Sequence, residues 1–124
     1  MDTASNPSQS FLERRIELTY LTAFYAGVLT EKQQTVLDLY CSEDMSLGEI
    51  ARETGISRQA VYNMLLRTAE KLFHLEASLG MASRFQRMQD GMAECIAAID
   101  RGETQTARSL LTALMQSDLQ EDHP

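Results

Sequence analysis

The chain has 124 residues, a formal net charge of −7 at pH 7, 44% hydrophobic residues and no tryptophan. This length suffices for one domain with its own core, or for one domain with an appended module. Its apolar runs are too short for a signal peptide or a membrane span, so we expect a cytoplasmic protein without a membrane partner. Helix-forming residues outnumber strand-forming ones, which predicts an all-α fold. Cys41 and Cys95 have no partner motif and are expected to be small buried hydrophobic residues.

Three helices are predicted in the first part of the chain, and the second and third of them begin at capping boxes. From about Ser10 to Leu29 the sequence is helical in character and apolar on nearly every side, which is typical of a helix buried on more than one face. Thr30 with Gln33 forms a capping box that begins the second helix. Ser46 with Glu49 forms another, which begins a short third helix.

The third helix leads into a helix-turn-helix motif. Such a motif needs a small residue where the two helices meet and a left-handed residue in the turn, and Ala51 and Gly55 meet these needs. Ser57 caps the fourth helix, which has no breaker until Gly80 and is therefore long. Two further helices, separated at residues 100–102, are predicted to form an antiparallel hairpin.

These elements predict four parts. Residues 1–10 are small and polar, and we expect them to be a disordered N-terminus. Residues 11–80 form a helix-turn-helix domain with a long recognition helix. Residues 81–117 form the C-terminal helical hairpin and take part in dimerisation, and residues 118–124 are an acidic tail.

The long helix after the turn presents side chains that suit nucleic acid. Arg and Lys neutralise phosphates, while Arg, Gln and Asn can form paired hydrogen bonds with base edges. The candidate nucleic-acid-binding residues are Ser57, Arg58, Gln59, Asn63, Arg67 and Lys71, with Gly55 as the turn residue. From Arg58 to Arg87 there are five basic and two acidic residues in an otherwise acidic chain. We therefore expect weak to modest binding of DNA or RNA, unless a dimer doubles the contacts.

The same helix carries two apolar stripes when residues are placed at 100° intervals. The first stripe consists of Val61, Leu65, Thr68, Leu72, Leu75 and Leu79. The second consists of Tyr62, Leu66, Ala69, Phe73 and Ala77. The first can pack on the helix-turn-helix itself, whereas the second needs the hairpin or another subunit. We expect a homodimer, with Tyr62, Leu66 and Phe73 as candidate protein-interface residues; the alternative is that the hairpin alone covers both stripes.

No catalytic chemistry is predicted. His74 and His123 have no ligand cluster around them, so no metal site is expected. The sequence has no glycine-rich phosphate loop and no nucleophile motif. We therefore expect no enzymatic activity, no catalytic residues, no cofactor and no small-molecule substrate.

Several of these segments together resemble the YlxM-like helix-turn-helix family of bacteria. They are FYAGVLTEKQ (Phe24 to Gln33), the helix end at residues 38–40, and EDMSLGEIARETGISRQAVY (Glu43 to Tyr62). The resemblance is strong from about Leu21 to Gly80. It implies a helical fold similar to region 4 of sigma factors and a tendency to dimerise. Because the family is encoded beside signal recognition particle genes, it also implies a regulatory or accessory role in that targeting pathway.

The sequence departs from the family pattern after Tyr62. Met64 and Leu66 replace polar residues, and only Arg67 remains of a basic pair. An apolar Leu66 suits a protein contact better than a DNA groove. The first hypothesis is therefore a nucleic-acid-binding regulatory or accessory protein linked to the signal recognition particle pathway. The alternatives are a helical adaptor that does not bind DNA and docks on a partner such as the particle's GTPase subunit, and a transcriptional regulator unrelated to protein targeting.

Overall fold

The computed structural model describes residues 14–121, with side chains for residues 14–117. The predicted disordered segment 1–10 and the last three residues of the predicted tail lie outside this range. The helices are α1 (Arg15–Tyr25), a 3-10 helix (Ala26–Val28), α2 (Glu31–Cys41), α3 (Leu47–Thr54), α4 (Arg58–Leu79), α5 (Met81–Asp100) and α6 (Thr104–Glu121). No strand occurs within residues 14–121, and the all-α prediction is confirmed. Over the same range, no helix is both long enough and apolar enough to cross a bilayer.

The chain divides into two compact units between Leu79 and Gly80. The first contains α1 to α4 and the second contains α5 and α6. Gly80 has φ of 63°, in the left-handed region that glycine adopts without a steric penalty. The long fourth helix therefore ends at the glycine that the sequence indicated.

In the first unit the core forms around α4, because α1, α2 and α3 all pack against this helix. The buried face of α4 carries Val61, Leu65, Thr68, Ala69 and Leu72. The other helices contribute Leu18, Leu21, Tyr25, Val36, Leu37, Tyr40 and Ile50. Four positions of the first predicted stripe are buried, and Leu79 at its end is 51% exposed. Burying a large apolar side chain stabilises a fold by about 1.5–3 kcal/mol, so these contacts hold the four helices together.

The first helix buries one face, so the expectation that it is buried on more than one face is wrong. Its buried residues Leu18, Leu21 and Tyr25 follow at i, i+3 and i+7 and form a single stripe. Ile16 lies on the opposite side and is 87% exposed. After Tyr25 the chain tightens into the 3-10 helix, which leaves Val28 half exposed.

Arg15 ties α1 to the loop between α2 and α3. Its Nη1 donates to Asp44 Oδ1 at 2.5 Å, and its guanidinium lies 4.3 Å from the centre of the Tyr40 ring. Asp44 has φ of 56°, a left-handed conformation that Asp tolerates better than most residues. The ion pair and the ring contact together fix this loop.

In the second unit α5 and α6 form the predicted antiparallel hairpin. Gly102 has φ of 78° in the connecting turn, and the Glu103 amide donates to the Ala98 carbonyl at 2.8 Å. The helices approach closely at Gly91, where an added Cβ would lie 2.6 Å from Leu114 Cδ1. The last helix continues to Glu121, past the predicted start of the tail at residue 118. The physical reason is that the residues there include good helix formers such as Leu, Gln and Glu.

Candidate nucleic-acid interface

The turn between α3 and α4 has helix-turn-helix geometry. Gly55 ends α3 in the left-handed region with φ of 79°, and its amide donates to the Ala51 carbonyl at 2.9 Å. Ser57 then caps α4, because its Oγ accepts from the Ala60 amide at 3.0 Å. The turn is three residues long, and it brings the start of α4 to the surface while Val61 enters the core.

Both predicted capping boxes are present. The Gln33 amide donates to Thr30 Oγ1 at 3.1 Å, and the Thr30 amide donates to Gln33 Oε1 at 2.9 Å. At the start of α3, the Ser46 amide donates to Glu49 Oε1 at 2.8 Å, and the Glu49 amide donates to Ser46 Oγ at 3.1 Å. The hydrogen bond from the Ser46 backbone stabilises the carboxylate and lowers the pKa of Glu49. The boxes fix where both helices begin.

The face of α4 directed away from the core presents three of the predicted residues one turn apart. Gln59 and Arg67 are exposed, and Asn63 between them is half-buried. Gln59 Nε2 donates to Asn63 Oδ1 at 3.2 Å, so the two amides are held side by side. Arg58 is exposed beside this row, next to the Ser57 cap. This surface is called the reading face below, and it consists of Ser57, Arg58, Gln59, Asn63 and Arg67.

Lys71 is engaged within the fold. Its Nζ donates to the Val28 carbonyl at 2.6 Å, which ties α4 to the end of the 3-10 helix. Glu70 is exposed and follows Asn63 at i+7, on the same side of α4. The stretch of this side of α4 without an acidic side chain therefore ends near Arg67. The reading face is then about 15 Å long at 1.5 Å per residue.

The predicted protein-interface residues Tyr62, Leu66 and Phe73 are all half-buried. The Arg14 guanidinium lies 3.6 Å from the centre of the Phe73 ring, a cation–π contact. Arg14 also pairs with Glu17 at 2.7 Å, and this hydrogen bond raises the pKa of Arg14. The side chain of Arg14, which is the N-cap residue of α1, thus lies over the Phe73 ring. No local sequence signal pointed to this contact, because it joins residues far apart in the chain.

A cleft of about 390 Å³ lies between the start of α2 and the reading face. Its lining residues are Thr30, Lys32, Gln33, Ala60, Asn63, Met64 and Arg67. The structure therefore brings Asn63 and Arg67 together with Lys32, which sequence reasoning missed. The sequence signals for Lys32 were its position in the first turn of a helix with a predicted capping box and its place in the family-like segment FYAGVLTEKQ.

Among the described residues, the remaining reactive groups form no recognisable centre. Within residues 14–121, no group of three or more His, Cys, Asp or Glu side chains is placed to hold a metal ion. Cys41 and Cys95 are free thiols; Cys95 is buried and Cys41 is half-buried. Burial raises the pKa of the Cys41 thiol, which disfavours the reactive thiolate.

Comparison with known proteins decides the family. The family described as "Putative helix-turn-helix protein, YlxM / p13 like" matches residues 12–113. The chain belongs to this family. It is 37% identical to the UPF0122 protein of Halalkalibacterium halodurans over 106 residues, which are 86% of this chain and 94% of that protein. It is 42% identical to a UPF0122 protein of Clostridium kluyveri over 89 residues, which are 72% of this chain and 80% of that protein.

A UPF0122 protein of Bacillus cereus is 44% identical over 78 residues, which are 63% of this chain and 71% of that protein. These matches confirm the YlxM-like resemblance. The family description agrees with the left-handed turn at Gly55 and the capped helix that follows it.

Proposed function

We propose that this chain is a cytoplasmic nucleic-acid-binding protein with a regulatory or accessory role. The observation that carries the proposal is the reading face of α4, where Gln59, Asn63 and Arg67 point away from the core one turn apart. In helix-turn-helix proteins the N-terminal residues of the second helix contact base edges in the major groove. The paired amides of Gln59 and Asn63 would meet bases, and Ser57 and Arg58 would meet the backbone.

The charges support modest affinity. Arg58 and Arg67 carry no ion pair with any residue of the described range, whereas Lys71 is held by the Val28 carbonyl. Two phosphate contacts per subunit give a slope of log K against log salt of about −1.8 on duplex DNA, and a dimer about −3.6. An acidic chain with few free cations therefore binds nucleic acid by local rather than overall charge.

The proposal includes a link to the signal recognition particle pathway. Its support is the resemblance to the YlxM-like family alone. A preference for the particle's RNA over duplex DNA would favour a role on the particle itself. Equal or weaker binding to that RNA would favour a role at the gene level.

The test is a titration of purified protein into labelled genomic duplex fragments and into signal recognition particle RNA, followed by fluorescence anisotropy at two salt concentrations. The double variant Arg58→Glu/Arg67→Glu should lose binding and keep its helical content and oligomeric state. The matched control Arg101→Glu/Arg108→Glu makes the same charge change on exposed residues of the second unit. If the α4 variant binds as tightly as wild type, the reading face is wrongly placed.

We also propose that the functional form is a homodimer. The buried residues of α5 are the small residues Ala82, Cys95 and Ala98. Large apolar residues of the same helix stay exposed, among them Phe85 at 45%, Met92 at 40%, Ile96 at 59% and Ile99 at 56%. They recur at helical spacing and form one stripe, and a contiguous exposed apolar stripe is typical of an interaction surface. A second copy would cover it and double the phosphate contacts.

Sedimentation analysis tests the dimer. Ile96→Asp places a charge within the stripe and should yield monomer at concentrations where wild type is dimeric. Ala93→Asp is the control, because it lies about 100° around α5 from the centre of the stripe and is also exposed. A monomeric wild-type protein, or an Ile96→Asp variant that remains dimeric, would refute this interface.

A second candidate function is the helical adaptor that docks on a basic protein such as the particle's GTPase subunit. Tyr62 and Leu66 favour it, because they lie half-buried one turn apart on α4, and the chain's charge of −7 suits a basic partner. Leu66→Lys separates the two functions. It should strengthen nucleic-acid binding if this side of α4 faces phosphates, and it should weaken docking on the GTPase if the adaptor function holds.

A further inference from the structure

Five of the basic side chains of the first unit fall into two groups. Arg14, Arg15 and Lys71 are committed to contacts within the unit. The side chains of Lys32 and Arg67 are exposed, and neither side chain forms a hydrogen bond or ion pair within the described part of the chain. These two free cations come from different helices, α2 and α4, and both line the cleft of about 390 Å³.

The chemistry of this cleft is that of an anion site. Among its lining residues, two are basic and none is acidic, in a chain whose net charge is −7. An arrangement that brings free positive charges together without a carboxylate attracts an anion. The lining also contains the polar side chains of Thr30, Gln33 and Asn63.

The hydrogen bonds of these polar side chains leave donors for a ligand. Gln33 Oε1 already accepts from the Thr30 amide, and Thr30 Oγ1 already accepts from the Gln33 amide. Asn63 Oδ1 already accepts from Gln59 Nε2. The Thr30 hydroxyl proton and the amide NH₂ groups of Gln33 and Asn63 remain. A ligand in the cleft thus meets N–H and O–H donors together with an ammonium and a guanidinium.

We propose that this cleft binds a backbone phosphate of the nucleic acid read by α4, with Lys32 and Arg67 as its charged ligands. Phosphate oxygens accept several hydrogen bonds at once, and contacts of Lys, Arg, Thr, Asn and Gln with phosphate set the register of a protein on nucleic acid. The site rests on the proposed nucleic-acid function and adds the start of α2 to the interface. Asn63 then joins the two parts, because it lies on the reading face and lines the cleft.

The test compares Lys32→Gln with wild type on a short fluorescein-labelled DNA duplex over a range of salt concentrations. Losing one phosphate contact should reduce the slope of log K against log salt by about 0.9, which is about an eightfold loss of affinity at 0.1 M salt. The loss should be the same for duplexes of unrelated sequence, because a phosphate contact carries no base information. Arg108→Gln, which removes one exposed charge from the second unit, should leave affinity and slope unchanged.

A second measurement identifies the source of the phosphate. Inorganic phosphate is titrated into ¹⁵N-labelled protein at constant ionic strength, and the amide signals of Lys32 and Arg67 are compared with those seen with the duplex. Saturable shifts with the duplex, and none with millimolar phosphate, are the expected result. Tight binding of free phosphate, with duplex affinity unchanged by Lys32→Gln, would overturn the nucleic-acid assignment.

The two proposals fail in different ways. If wild type binds the duplex and Lys32→Gln keeps its affinity and slope, the cleft proposal is overturned while the function of α4 stands. If wild type binds neither the duplex nor signal recognition particle RNA even at low salt, the nucleic-acid function and the cleft proposal fail together.

Discussion

Replacing Lys71 gives the most direct test of the roles that the structure indicates for the basic side chains. The chain has two lysines, and the structure gives them opposite roles: Lys71 Nζ donates to the Val28 carbonyl at 2.6 Å, and Lys32 faces an open cleft. Lys71→Gln should therefore destabilise the first unit, whereas Lys32→Gln should not.

The expected magnitude follows from the hydrogen bond and its exposure. A hydrogen bond from a charged donor contributes about 1.5–3 kcal/mol to the free energy of unfolding. Lys71 is exposed, so water competes for both the ammonium and the Val28 carbonyl. We therefore expect a loss of about 1 kcal/mol. With a urea m-value of about 1–2 kcal/mol/M, the unfolding midpoint should fall by about 0.5–1 M.

The assay is urea unfolding followed by circular dichroism at 222 nm, run beside the duplex titration. Lys32→Gln is the matched control, and its midpoint should stay close to that of wild type. An unchanged midpoint for Lys71→Gln, together with a salt slope reduced by about one phosphate contact, would refute the reasoning. Lys71 would then contact nucleic acid, as its position in the sequence first suggested.

Two further predictions concern the helix-turn-helix itself. Gly55→Ala forces a side chain into φ of 79° and should cost about 1–2 kcal/mol in unfolding free energy, although no atom blocks the added Cβ. Gly27→Ala is its control, because its Cβ also meets open space without a left-handed φ, so that variant should be neutral or slightly more stable in thermal unfolding. Glu49 has a lowered pKa in the folded state, so its charge stabilises the fold above its unfolded pKa, and that contribution disappears as pH falls through the folded pKa. Wild type should therefore have a higher melting temperature than Glu49→Gln at pH 7, the difference should disappear as pH falls through the folded pKa, and a difference that is constant with pH would contradict the assignment.

The features that sequence analysis located correctly are those created by neighbouring residues. The capping boxes at Thr30 and Ser46 join residues three positions apart. The left-handed glycines Gly55, Gly80 and Gly102 end or separate helices through their own backbone freedom. These effects need no partner from elsewhere in the chain, so the sequence alone predicts them.

The least accurate sequence-based prediction concerned the first helix. Counting apolar residues suggested burial on more than one face, but Ile16 is 87% exposed and only the stripe from Leu18 to Tyr25 enters the core. Composition tells how much of a helix is apolar, but it does not tell how many neighbouring helices are available to cover it. Helix α1 packs mainly against α2 and α4 among the helices of its unit, and it buries one side in doing so.

The sequence by itself determined the all-α class, the starts of α2, α3 and α4 and the turn of the helix-turn-helix, because these depend on backbone conformation and on contacts within one helical turn. Only the tertiary structure decided the roles of Lys71 and Lys32. The bond from Lys71 to Val28 joins residues 43 positions apart, and Lys32 meets Arg67 at one cleft although they belong to different helices. The interaction energy of a charged side chain depends on the groups within a few ångströms of it, and the packing of the helices sets those distances.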